Sequence, residues 1–150
     1  MNRRQRTLDL QRNGGLNCAQ AIITVFGEEF GIAPDAARTI GRPWAGGMGH
    51  RGDTCGYLTG AVHVLAHAFE AVDESKARAE AQQAVQALFD RFIARRGTTL
   101  CRDLLGADLS TAAGVQQARA EGLVRKRCCS EDGVGGDVAE ILEEVLRARR

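Results

Sequence analysis

The residues of this chain best suited to chemistry are its cysteines: Cys18, Cys55, Cys101, Cys128 and Cys129. A thiolate attacks disulfides and ligates soft metals, and the thiol pKa sets how much of it is present. Cys18 follows Asn17, Cys55 follows Asp53-Thr54 and Cys101 follows Thr98-Thr99, all residue types that cap helices. Three cysteines are therefore expected in the first turn of a helix, where the positive helix end and its free N–H groups favour the thiolate. Cys55 is the expected attacker, with Cys18, Cys101, Cys128 and Cys129 as resolving neighbours. Exchange of this kind would make the protein a thiol-dependent oxidoreductase. The same sulfurs support a second reading, in which Cys18, Cys55, Cys101 and Cys129 hold an iron–sulfur cluster or a soft metal such as zinc or copper(I) without turnover. Cysteine also packs as a small hydrophobe. The repeated placement at helix starts argues for chemistry instead.

The stretch around Cys55, GGMGHRGDTCGYLTGAVHVLAH over residues 46–67, suggests other chemistries. Gly47-Met48-Gly49-His50-Arg51-Gly52 matches G-x-G-x-x-G, but a dinucleotide fingerprint needs a strand feeding the loop inside a βαβ unit, and Arg42-Pro43-Trp44 precedes it. Gly47, Gly49, Gly52 and Gly56 are better read as a loop that brings backbone close to the thiols and shapes access to them. His63 and His67 share one side of a helix at i, i+4 spacing, with Glu70 beside them. No CxxC pair accompanies them, so spacing gives no closed zinc site, and the flank of an apolar stripe is the favoured place for both histidines.

The elements that must position these groups read as helices. Apolar residues recur at three and four spacing, Pro occurs only at Pro34 and Pro43, and no alternating strand pattern is seen. Residues 3–12 are expected as a short arm helix, solvated and mobile through Arg3, Arg4 and Arg6. Asn17 should cap a helix carrying Ile22, Val25 and Phe26 that Gly31 closes, and Pro34 should open a short one. After a glycine-rich loop over 41–52, Asp53 or Thr54 should cap a central helix with Leu58, Val62, Leu65, Phe69 and Val72 on one face. The longest helix is predicted over 75–96, with shorter ones after Thr98 and Ser110 and an amphipathic one over 137–150. About seven helices and no sheet make an all-α, single compact multi-helix domain over 1–150.

Composition narrows the partners. The 150 residues carry a formal net charge of +1, with 44% hydrophobic and 26% charged residues, which suits one domain with a real core and lacks the basic footprint of a nucleic-acid binder. The start lacks a signal-peptide pattern and no stretch is apolar enough for membrane insertion, so a cytoplasmic protein is expected. Its expected partner is a redox partner whose identity the sequence does not give, and a homodimer is compatible with the pattern.

Taken together, Asn17-Cys18-Ala19-Gln20, Gly46-Gly47-Met48-Gly49, Thr54-Cys55-Gly56 with Thr59-Gly60, Cys101-Arg102-Asp103-Leu104-Leu105-Gly106 and the closing Ala139-Glu140-Ile141-Leu142-Glu143-Glu144 resemble the redox-active proteins named for the pattern C_GCAxxG_C_C. The resemblance spans most of the chain. It implies an all-helical fold and a thiol-based redox or cluster-binding role for four cysteines. Tyr57 stands where the family has alanine, which narrows the pocket or adds a hydrogen-bonding group. The fourth family cysteine falls on Cys128 or Cys129, and Gly133, Gly135 and Gly136 are expected to loosen the link to the last helix.

Overall fold

Local capping chemistry fixes most helix starts. Asn2 and Gln5 form a capping box at the start of α1 (Arg3–Arg12), and Asn17 and Gln20 form a second at α2 (Cys18–Gly27), each Asn accepting from the amide three residues on while the Gln side chain accepts in return. Pro34 opens α3 (Pro34–Gly41). α4 (Gly56–Ala68) follows the glycine-rich loop, and Asp73 caps α5 (Glu74–Arg96), at 23 residues the longest of the helices described. α6 (Cys101–Leu105), α7 (Ala112–Glu121), a π-helical turn over Val124–Cys128 and α8 (Val134–Ala148) complete the chain. The computed structural model describes residues 1–69 and 72–149, so Glu70 and the last residue of the expected final helix lie outside the described residues.

α2, α4 and α8 form the centre of a single all-α domain. Ile22, Phe26, Leu58, Leu65, Ile141 and Leu142 are fully buried there, each worth about 1.5–3 kcal/mol of transfer free energy. α1 covers α2 and α8, α5 covers α8 and α4, and α3 packs on α2. A second, smaller apolar cluster of Leu105, Ala107, Ala118 and Leu123 gathers under α6, α7 and the π turn. Among the described residues the extended pairing is one isolated antiparallel bridge, Thr54 with Leu100.

Three expectations are corrected. α1 is docked, not a mobile arm: Thr7 and Leu8 are buried, Arg3 pairs with Glu143 and Glu29 and lies 4.6 Å over the Phe26 ring, and Arg4 pairs with Glu131 and Glu140. Its arginines are polar in composition but find carboxylates far along the chain. The central helix ends at Ala68, leaving Val72 exposed and outside it. The last helix begins at Val134, with Gly135 and Gly136 buried in its first turn. These two glycines tighten packing instead of loosening a link, since a Cβ on Gly135 would lie 2.5 Å from Tyr57 Cζ and one on Gly136 2.7 Å from Arg4 Nη2.

Candidate thiol site

Four segments deliver four sulfurs to one place. Cys18 is the first residue of α2, Cys55 is the N-cap of α4 and Cys101 is the first residue of α6, so all three lie at helix starts. The isolated bridge sets two of them side by side: the Cys55 N–H donates to the Thr99 carbonyl at 2.8 Å, and the Cys101 N–H donates to the Asp53 carbonyl at 2.6 Å. Cys128 differs, because it ends the π turn instead of starting a helix. Single π turns of this kind recur at functional sites. Cys18, Cys55, Cys101 and Cys128 together line a cavity of about 440 Å³ that Tyr57 also walls.

Cys18 and Cys55 belong to the main core, while Cys101 packs on the second cluster and Cys128 packs on both. The cavity therefore opens along the seam between the two clusters. Cys129 is not part of it. Its sulfur lies 3.7 Å from the Val124 carbonyl, and it lines a neighbouring cavity. Of the two adjacent cysteines, Cys128 is the one that faces the other three.

The glycine-rich loop wraps the site in a left-handed turn. Residues 46–50 all have positive φ, from 62° to 73°, including Met48 and His50. Left-handed backbone costs about 1–2 kcal/mol for each residue with a Cβ, so the surroundings must hold this turn in place. Hydrogen bonds do so, from Gly52 N–H to the Gly46 carbonyl and from Asp53 N–H to the Gly47 carbonyl, each 3.0 Å. Gly47 lets the turn close on Cys101, where a Cβ would come 2.8 Å from the Cys101 Cβ, and a Cβ on Gly56 would collide with Cys18 Sγ. Gly52 lies against Arg102, whereas a Cβ on Gly49 would meet only the Pro43 carbonyl, at 3.8 Å, and would not reach the thiols.

The thiols are held protonated. Burial pushes Cys18 up to about 11, although the N–H groups of Ala19 and Gly46 favour its charge. Burial and the neighbouring Cys18 push Cys55 up to about 12 against the amides of Tyr57 and Leu58. Cys101 rises to about 12, by burial first and then by Cys55, and burial raises Cys128 further. Cys129 is also raised by burial, with Arg12 and Arg125 opposing. The expectation of a low-pKa Cys55 thiolate at a helix start is thus corrected: the amides act in the expected direction, but desolvation is larger and the sulfurs repel one another's charge.

Sequence reasoning noted Tyr57 but not its partner. Tyr57 is fully buried and its hydroxyl donates to Gln11 Oε1 from α1, a contact across 46 residues that no local pattern announces. Burial, then the charge of Cys18, holds its phenol well above the ordinary range. His63 and His67 sit on the flank of α4, His63 half-buried and His67 exposed, with ring centroids 5.0 Å apart and His63 edge-on to Trp44. Among the described residues no group of three or more His, Cys, Asp or Glu side chains is arranged to hold a metal ion. Of the ligands of the cluster or metal reading, Cys18, Cys55 and Cys101 line the thiol cavity and Cys129 lines the neighbouring one.

No helix among the described residues is long and apolar enough to cross a membrane. No curated protein and no solved structure matches the chain. Residues 16–145 do match a family model, and they contain the four cysteines of the cavity together with the loop that wraps them. The chain belongs to the family described as "Putative redox-active protein (C_GCAxxG_C_C)".

Proposed function

We propose that this protein is a thiol–disulfide redox protein whose reducing equivalents are carried by Cys18, Cys55, Cys101 and Cys128. The observation that carries this reading is the convergence of four thiols, from four separate segments, on one cavity. A partner disulfide is attacked by one cavity thiol, forming a mixed disulfide and releasing the partner's first thiol. A second cavity thiol then displaces the other half. The balance is one partner disulfide and two protein thiols going to two partner thiols and one protein disulfide.

Cys18 and Cys55 are buried, whereas Cys101 and Cys128 are half-buried, so the outer pair meets the partner first and the inner pair resolves. Raised thiol pKa values slow exchange at neutral pH but also make protein thiols poor leaving groups, which favours retention of a disulfide once formed. The cytoplasm, where thiols are kept reduced, is the compartment in which such a cluster would cycle.

The test is a thiol count on protein purified without oxygen, with metal content measured on the same sample. Limiting oxidised lipoamide should remove thiols two at a time, with mass spectrometry placing the new disulfides among Cys18, Cys55, Cys101 and Cys128 while Cys129 stays free. Stoichiometric iron or zinc bound by these cysteines, or thiols that survive excess disulfide in the folded protein, would end the proposal.

A further inference from the structure

Beside the thiol cavity lies a second cavity of about 410 Å³ whose charged wall residues are all arginines, Arg12, Arg119 and Arg125, with His50 beside them. Among the described residues no aspartate or glutamate lines it, and Leu109 and Val115 give it an apolar floor. Arg12 is partly engaged, donating to the Cys129 carbonyl and lying 3.4 Å from Glu131. Arg119 and Arg125 pair with no carboxylate among the described residues, and neither do Lys126 and Arg127 further along the π turn. Uncompensated guanidinium groups around an apolar hollow fit a molecule with an apolar body and an anionic group.

Position gives this hollow a use. Gln11, His50, Leu109 and Val124 wall both cavities, and the π turn that carries Arg125 ends at Cys128. We infer that the basic hollow is the docking site for a small anionic disulfide with an apolar body, which it presents to the thiol cavity from the Cys128 side. This rests on the thiol-exchange reading above. The exchange that follows is the attack already described: Cys128 bonds to one sulfur of the ligand, the ligand S–S bond breaks, and the released half leaves as an anionic thiol with the proton that Cys128 gave up.

Two aromatic disulfides of similar size separate charge recognition from intrinsic reactivity. 5,5′-Dithiobis(2-nitrobenzoate) is a dianion and 4,4′-dithiodipyridine is neutral, and both release a chromophore on exchange. The readout is the ratio of their second-order rate constants for modification of Cys128 in the reduced, folded protein, assigned by mass spectrometry because Cys129 also lines the hollow. A cleft lined by one sign of charge accelerates association of the opposite sign by 10-fold or more, so R119E/R125E should lower that ratio by at least about tenfold. R119Q/R125Q should give an intermediate value, and K76E/R78E on α5, with the same change in net charge, should leave it in place. Added salt should lower the wild-type ratio.

Both arginines are exposed, so folding is checked by circular dichroism, and the neutral pair provides a milder substitution at the same sites. A ratio that moves less than about twofold in R119E/R125E, or equally in the α5 control, overturns the inference while leaving thiol exchange standing. If neither reagent modifies a cavity thiol in folded wild-type protein, the exchange reading fails and this inference falls with it.

Discussion

Near pH 7 a Cys18 thiol with a pKa of about 11, and Cys55 and Cys101 thiols of about 12, carry their protons nearly all the time. Unfolding returns each to its ordinary value of 9.0, so between pH 9 and 12 the unfolded chain loses protons that the folded chain keeps. Stability falls with pH wherever the folded state binds more protons. The stabilisation is therefore complete below pH 9 and is lost progressively as pH rises through about 11 and then about 12. Urea denaturation under reducing conditions should show the midpoint dropping across this window, and the drop should shrink in Cys55→Ser. A midpoint that stays flat from pH 9 to 11 would contradict the burial of these thiols. The helix start at Cys18 was legible in the capping Asn17, whereas Cys55 is itself the N-cap of α4 and Leu100 that of α6, neither with the side-chain cap expected from Asp53, Thr54, Thr98 or Thr99. Burial was not legible, because it depends on the loop and on the second cluster closing over the sulfurs.

Helix boundaries were readable wherever capping is local, as at Asn17 with Gln20 or Gly106 at φ 80°. What packs on what was less so. α1 has few apolar residues, yet Leu8 is 1% exposed, and its arginines reach Glu143 and Glu131 from the far end of the chain. Leu8→Ala should cost about 2–4 kcal/mol in a urea titration, the range for a buried leucine, whereas a mobile arm would give a change near zero. The approach of α8 to α4 depends on Gly135, where a side chain would meet the Tyr57 ring. Gly135→Ala should destabilise by about 1–3 kcal/mol through overpacking, and less in a Tyr57→Leu background. Equal costs in both backgrounds would mean the two residues do not meet. The π turn carries no sequence signal of this kind, which is why Cys128 and Cys129 could not be told apart until their opposite facings were known.

Across the whole molecule, the thiols straddle two apolar clusters. A disulfide from Cys18 or Cys55 to Cys101 or Cys128 would lock the small cluster onto the large one and close a loop of several tens of residues. In the chain-entropy picture such a loop stabilises by about 4–5 kcal/mol. Oxidised protein should therefore unfold at higher denaturant than reduced protein, with hydrogen exchange slowing most in α6 and α7. If oxidation leaves those helices exchanging as before, the bond has formed within one cluster instead of across the seam.

The turn over residues 46–50 also has a consequence for chirality. Backbone that is costly for an L-residue is the preferred region of its mirror image. D-alanine introduced at position 49 by chemical ligation should be accepted and should raise the melting temperature, worth up to about 1 kcal/mol by restricting the unfolded chain. L-alanine at the same position should lower it by about 1–2 kcal/mol. Position 49 is the suitable probe because the nearest atom to an added L-Cβ is 3.8 Å away, so that handedness, and not crowding, decides the cost of the L-residue. Equal melting temperatures for the two enantiomers would mean that this segment does not keep its left-handed form in solution.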